Sequence, residues 1–189
     1  MKNLYTILPL LIALLLTVSC GLIEFDFDTS KKGKIEKLDL CPPHVADFDI
    51  PSEFKESLIQ QLNSNLANSF DDIIEEVKEK DTWPADEISL KKLSLVQKDI
   101  PASPNSSNTF GFISEMKIYI SLKDGSKEMF FAEVKNTDSI ATTLKFTVSD
   151  KDIINYIDKG FKLRIDSKLR DCPNEDINYT NKMTVHIKL

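Results

Sequence analysis

From Ser52 to Lys80 the apolar residues Phe54, Leu58, Leu62, Leu66, Phe70, Ile73 and Val77 recur at steps of three and four, which lines one side of an α-helix. Ile59 and Ile74 widen that stripe, and Pro51 followed by Ser52 supplies a start signal. Ser69 with Asp72 three residues later forms a second capping pattern after Asn68, so the segment reads as one long helix or as two joined at a kink. Trp83-Pro84 ends the helical period.

Beyond that point the period changes to two. Ile88 to Lys98 reads as a strand whose parity slips around Lys91-Lys92, the mark of a bulge. The segment Asp99 to Asn108, rich in proline, serine and asparagine, is expected to be a mobile loop. Phe112 to Leu122 follows with Met116, Ile118, Ile120 and Leu122 on one face and Lys117, Tyr119 and Ser121 on the other. Asp124-Gly125 turns the chain into Met129 to Val134, where Phe130, Ala132 and Val134 share a face, and Leu144, Phe146 and Val148 mark a further strand. Ser149 and Asp152 open a short helix through Ile157 that Gly160 closes. Phe161, Leu163 and Ile165 resume the alternation, and Met183, Val185, Ile187 and Leu189 close it, with His186 on the solvent side. The expected fold is therefore α+β: an N-terminal amphipathic helix packed on a mostly antiparallel, β-sandwich-like domain of about six strands.

The N-terminus stands apart from this pattern. Lys2 precedes an apolar run from Leu4 to Ser19, 16 residues long and shorter than the roughly 20 needed to cross a bilayer. Thr17-Val18-Ser19-Cys20-Gly21 resembles the lipobox of bacterial lipoprotein precursors, although Thr17 occupies the place where that family prefers leucine. The resemblance implies cleavage before Cys20 and a cysteine carrying two or three acyl chains. Each buried methylene contributes about 0.8 kcal/mol, so such a set anchors stably. Residues 1–19 are then the signal peptide, 20–40 a lipidated tether with room for a short strand, and 41–189 a single domain. Gly21 in place of an acidic residue after the cysteine points, by the same resemblance, to the outer membrane of a bacterial envelope.

Loss of the signal peptide takes the formal charge from −6 to −7, with both signs interspersed along the chain. No basic stripe suggests nucleic acid, and nothing suggests a second contact with anionic lipid. With Cys20 assigned to lipid, Cys41 and Cys172 remain as an even pair in an oxidising setting and are expected to form a disulfide. A metal reading of Cys41-Pro42-Pro43-His44 with Cys172 lacks the second paired set that makes zinc motifs specific. Asp26 with Asp28 and Asp47 with Asp49 project in pairs from strand-like segments, but calcium loops gather more oxygen ligands around a glycine turn.

Residues 86 to 189, with Thr109-Phe110-Gly111-Phe112 leading to Ile118-Tyr119-Ile120-Ser121 and then Asp152-Ile153-Ile154-Asn155-Tyr156-Ile157, are similar to small uncharacterised envelope lipoproteins with one β-rich domain. That resemblance implies an architecture and brings no activity. Nucleophile elbows, zinc-protease helices and phosphate-binding glycine loops have no counterpart in the chain, and the carboxylate pairs Asp71-Asp72 and Glu75-Glu76 fall on a polar helix face. The reading is a non-enzymatic binding or accessory module for another envelope protein, without catalytic residues, metal or cofactor. Trp83, Tyr119 and the loop 99–108 are the surface where a partner is expected. Two alternatives stay open: a carrier of an apolar ligand such as lipid, lined by Phe110, Phe112, Phe130, Phe131 and Phe146, and an immunity or inhibitor lipoprotein.

Overall fold

A computed structural model describes residues 24–37, 52–79 and 85–189. Seven strands, all antiparallel, form one sheet in the order β1-β7-β2-β5-β4-β3-β6: β1 (Glu24–Ile35), β2 (Glu87–Gln97), β3 (Ile113–Leu122), β4 (Met129–Lys135), β5 (Thr143–Val148), β6 (Phe161–Leu169) and β7 (Ile177–Lys188). The sheet curls into a half-barrel, and α1 (Ser52–Glu79) packs against β6 and β1, the two strands at its open edges. A short α2 (Ile154–Lys159) precedes β6.

This architecture corrects the α+β, sandwich-like expectation, because the described residues are mostly β and form a single curled sheet. Alternation along a strand shows that one face is apolar, but not what covers it. Here the inner face is covered by its own curvature and by α1, whose Leu58, Leu62, Leu66 and Phe70 are buried. Phe70 meets Phe131 at 5.2 Å and Phe161 at 5.9 Å between ring centroids, both edge-on, and so ties the helix to the β4 and β6 side. α1 runs unbroken through Asn68, as one helix of 28 residues.

The second correction is β1. A tether adding a short strand was expected at residues 20–40, yet Glu24–Ile35 is a strand of 12 residues paired with β7 along its whole length. Its side chains alternate between exposed and half-buried up to the fully buried Ile35. The slip around Lys91 in β2 is present as a register shift between Leu90 and Lys92. The short helix starts differently from expectation. The Asp152 carboxylate, not Ser149, accepts the N–H groups of Ile154 at 3.0 Å and Ile88 at 3.1 Å, joining the helix start to β2. Gly160 closes it at φ 78° and ψ 148°, a conformation open essentially to glycine alone.

The segment 99–108 is built, not loose. Asn105 Oδ1 accepts hydrogen bonds from the N–H of Ser107 and of Asn108 and from the Ser107 hydroxyl. Gln97 Nε2 donates to the carbonyls of Asp99 and Asn108, and Ser107, Asn108 and Thr109 are buried. Phe110 and Phe112 follow in a buried 3-10 turn instead of opening β3. Arg170 secures the same end of the sheet by donating to the carbonyls of Gly111 at 2.9 Å, Asn136 at 2.6 Å and Asp138 at 3.4 Å.

Candidate functional surface

Tyr119 stands on the outer face of the sheet, as its place in the alternation requires. A bulge shapes what surrounds it. β3 pairs Ile118 with Ala132 but Tyr119 with Phe130, so Phe131 has no residue opposite it. Phe131 turns inward onto Phe70, whereas Phe130 turns outward against Tyr119 at 6.2 Å, ring edge to ring face. This corrects the placement of Phe130 with Ala132 and Val134: one extra residue moves it to the opposite face. The five phenylalanines considered as a lipid-binding lining therefore do not share one pocket. Phe110, Phe112, Phe131 and Phe146 are buried in the core, and Phe130 lies outside it.

On the other side of Tyr119, β6 places Arg164 directly opposite. The guanidinium carbon lies 4.1 Å from the Tyr119 ring centroid, a cation–π contact. Glu128 takes the guanidinium as a bidentate pair, from Nε at 2.8 Å and Nη2 at 2.9 Å, while Nη1 bonds Asp166. These carboxylates hold the Arg164 proton more firmly than usual, and Arg164 in turn holds the Glu128 carboxyl below its ordinary value. Two pleat repeats along β3, Glu115 joins Lys168 at 2.7 Å and Lys117 at 3.2 Å, and both hydrogen bonds lower its pKa. A shallow groove of about 280 Å³ runs along Glu115, Lys117, Tyr119, Asp166, Ser167 and Lys168. The result is an aromatic pair with a stacked arginine, held in position by carboxylates and still open to solvent. Such residue types anchor protein interfaces, because their large flat surfaces are already ordered before a partner arrives.

A second open groove, of about 560 Å³, lies along β1, β7 and β2 and is lined by residues including Asp28, Ser30, Lys92, Lys182 and Thr184. His186 borders this outer face, with Nδ1 2.9 Å from Asp26 Oδ1. Asp28 Oδ1 accepts the Thr184 hydroxyl at 2.5 Å, so Asp26 and Asp28 are engaged by β7 side chains. Among the described residues no group of three or more histidine, cysteine, aspartate or glutamate side chains has the geometry to hold a metal ion.

Of the other sequence candidates, Cys172 is buried, whereas Cys20, Cys41, His44, Asp47, Asp49 and Trp83 lie outside the described residues. Among the described residues no helix is long and apolar enough to cross a membrane. Sequence reasoning missed Phe130 as an outer residue, and it missed Arg164 and Glu128 altogether. The alternation of Phe161, Leu163 and Ile165 leaves Arg164 on the outer face of β6, but only the pairing of β6 with β3 brings it over Tyr119. No protein-family model matches the chain, and no curated protein matches it either.

Proposed function

We propose that this chain is a non-enzymatic lipoprotein of the bacterial envelope, held by acyl chains on Cys20, whose outer β4-β3-β6 face binds another envelope protein. The observation that carries the binding site is the Phe130–Tyr119–Arg164 stack, whose guanidinium is held by Glu128 and Asp166. An arginine that served only the fold could satisfy its charge at Glu128 alone. Here its flat face lies on an outward-facing tyrosine whose other side meets a phenylalanine. The anchor is supported by the lipobox-like Thr17-Val18-Ser19-Cys20-Gly21. A tethered module meets its partner at high effective concentration, so a surface of this modest extent suffices for recognition.

Two measurements test the two parts separately. Full precursor expressed in a bacterial host is expected to yield a membrane-bound chain starting at Cys20 with a lipid-sized mass increment that Cys20→Ala abolishes. An unlipidated chain overturns the anchor. Photo-crosslinking in intact envelopes from a probe at Lys117 is expected to give a discrete product. Tyr119→Ala and Arg164→Ala should each reduce that product about tenfold or more, as truncation of an interface anchor does, while the melting temperature changes little. A product unaffected by both substitutions places the binding surface elsewhere.

A further inference from the structure

We propose that two copies of this chain pair through β1, antiparallel across a two-fold axis at Thr29, and extend the seven-stranded sheet into a continuous sheet of twice the width. β1 is the last strand on its side of the sheet. In an antiparallel strand the N–H and C=O of one residue point to the same side, and successive residues alternate. Which residues face away from β7 is settled at the far end of β1. The Lys34 carbonyl accepts a hydrogen bond from Asn65 Nδ2 at 2.7 Å, and the Glu36 N–H donates to Gln61 Oε1 at 2.9 Å, both from α1. The even-numbered residues therefore turn their backbone groups outward. The outward-facing residues Glu24, Asp26, Asp28, Ser30 and Lys32 have no neighbouring strand among the described residues, and their side chains are exposed.

An open edge of this length invites another strand, and proteins usually blunt such edges with charge. The charges here are ordered rather than scattered. Glu24, Asp26 and Asp28 occupy the first half of the exposed row, and Lys32 and Lys34 the second, with Ser30 between. Edge-facing residues can form hydrogen-bonded pairs only with edge-facing residues of the second copy, so only even-with-even registers are allowed. With Asp28 opposite Ser30 of the second copy, Asp26 faces Lys32, and the same holds in reverse; the paired ladder ends there, because the Lys34 carbonyl beyond it stays with Asn65 and the Lys34 ammonium with Asp176. Sliding one step toward the N-terminus sets Asp28 against its own copy. Sliding the other way sets Asp26 against Lys34 and Glu24 against Glu36, and so calls on the Lys34 carbonyl and the Glu36 N–H that Asn65 and Gln61 already hold. The charge row thus disfavours neighbouring registers and selects one, which is the use of charge as a specificity device. Closed two-fold symmetry is the form such a self-complementary edge takes.

The test uses the full chain purified from host membranes in detergent. Thr29→Cys puts the two new thiols across a non-hydrogen-bonded pair on the symmetry axis, where Cβ atoms come within reach of a disulfide. Mild oxidation is expected to give a reducible dimer well above the background of the parent chain, whereas Asp26→Cys, displaced from its own copy, gives none above it. By sedimentation, Asp26→Lys and Lys32→Asp should each weaken the dimer on the order of tenfold or more, since each turns two symmetry-related pairs repulsive. The double variant restores it. Ser30→Pro removes an outward N–H that the monomer does not use, so the folded chain is retained and the dimer lost. A chain that stays monomeric throughout overturns the proposal. So does a dimer indifferent to Ser30→Pro, a double variant that fails to recover, or a monomer that pairs this edge with a foreign strand.

Discussion

Gly33, two residues before the end of the edge strand β1, looks like a weak point, and the structure gives it a specific reason to be glycine. A Cβ added there would lie 2.3 Å from Tyr179 Cζ, 2.6 Å from its hydroxyl oxygen and 2.7 Å from Cε2. Tyr179 is directly opposite Gly33 on β7, and its ring covers the glycine. The ring cannot easily retreat, because Tyr179 is 1% exposed and packs edge-on against the fully buried Phe110 at 5.9 Å. Gly33→Ala should therefore overpack the site at a cost of about 1–3 kcal/mol. The smaller entropy of unfolded alanine offsets about 0.4–1 kcal/mol of that. The net loss of roughly 1–2 kcal/mol should lower the Tm by about 3–8 °C for a domain of this size. Calorimetry and urea unfolding measure it directly. Tyr179→Leu should lower the stability by itself but open space beside Gly33, so that adding Gly33→Ala in that background costs less than half as much. The double-mutant cycle should then show a coupling of about 1 kcal/mol. A Gly33→Ala protein as stable as wild type, or an equal penalty in both backgrounds, refutes the account.

Gly111→Ala should be harsher still, since its Cβ would fall 1.8 Å from the Ser139 carbonyl oxygen, and backbone cannot swing away as a ring can; soluble yield and Tm report the loss, and a melting curve like that of wild type would contradict it. Stability should fall in acid, because Glu128, Glu115, Asp150 and Asp176 are held below their ordinary values by hydrogen bonds to Arg164, Lys168, Lys91 and Lys34. Depressed carboxylates stabilise the fold above their unfolded values of 3.8 and 4.5 and lose that contribution as pH drops through the folded values, so Tm should decline below about pH 4.5, and only slightly for each pair because all four are open to solvent. At the alkaline end, burial pushes the Tyr179 hydroxyl up to about 12 from 10.0, a contribution present below pH 10 and lost on approaching 12. A Tm that stays flat across either window would count against these assignments.

Where the local pattern and the final environment agree, the chain is easily read. Met116, Ile118 and Ile120 are buried as their alternation requires, and the slip at Lys91 is present as a register shift between Leu90 and Lys92. Legibility fails where a residue's role depends on a distant partner. The inner row of β1 contains Thr29, Lys31 and Gly33, which look like a tether and not a core face. Lys31 is accommodated there because Asp72 of α1 stands 3.5 Å away, and Gly33 because Tyr179 occupies the space where its side chain would be. Asn105 and Asn108 made the loop look mobile by composition, yet their amides are the groups that bind the loop together. The candidate surface divides in the same way. Tyr119 was legible from parity alone, whereas Phe130 required the bulge in β4, and Arg164 required the pairing of β3 with β6. Hydrophobic period reports which side of a strand a residue takes. It carries no information about which strand lies next to it, and both the stack at Tyr119 and the curl of the sheet are consequences of that neighbour order.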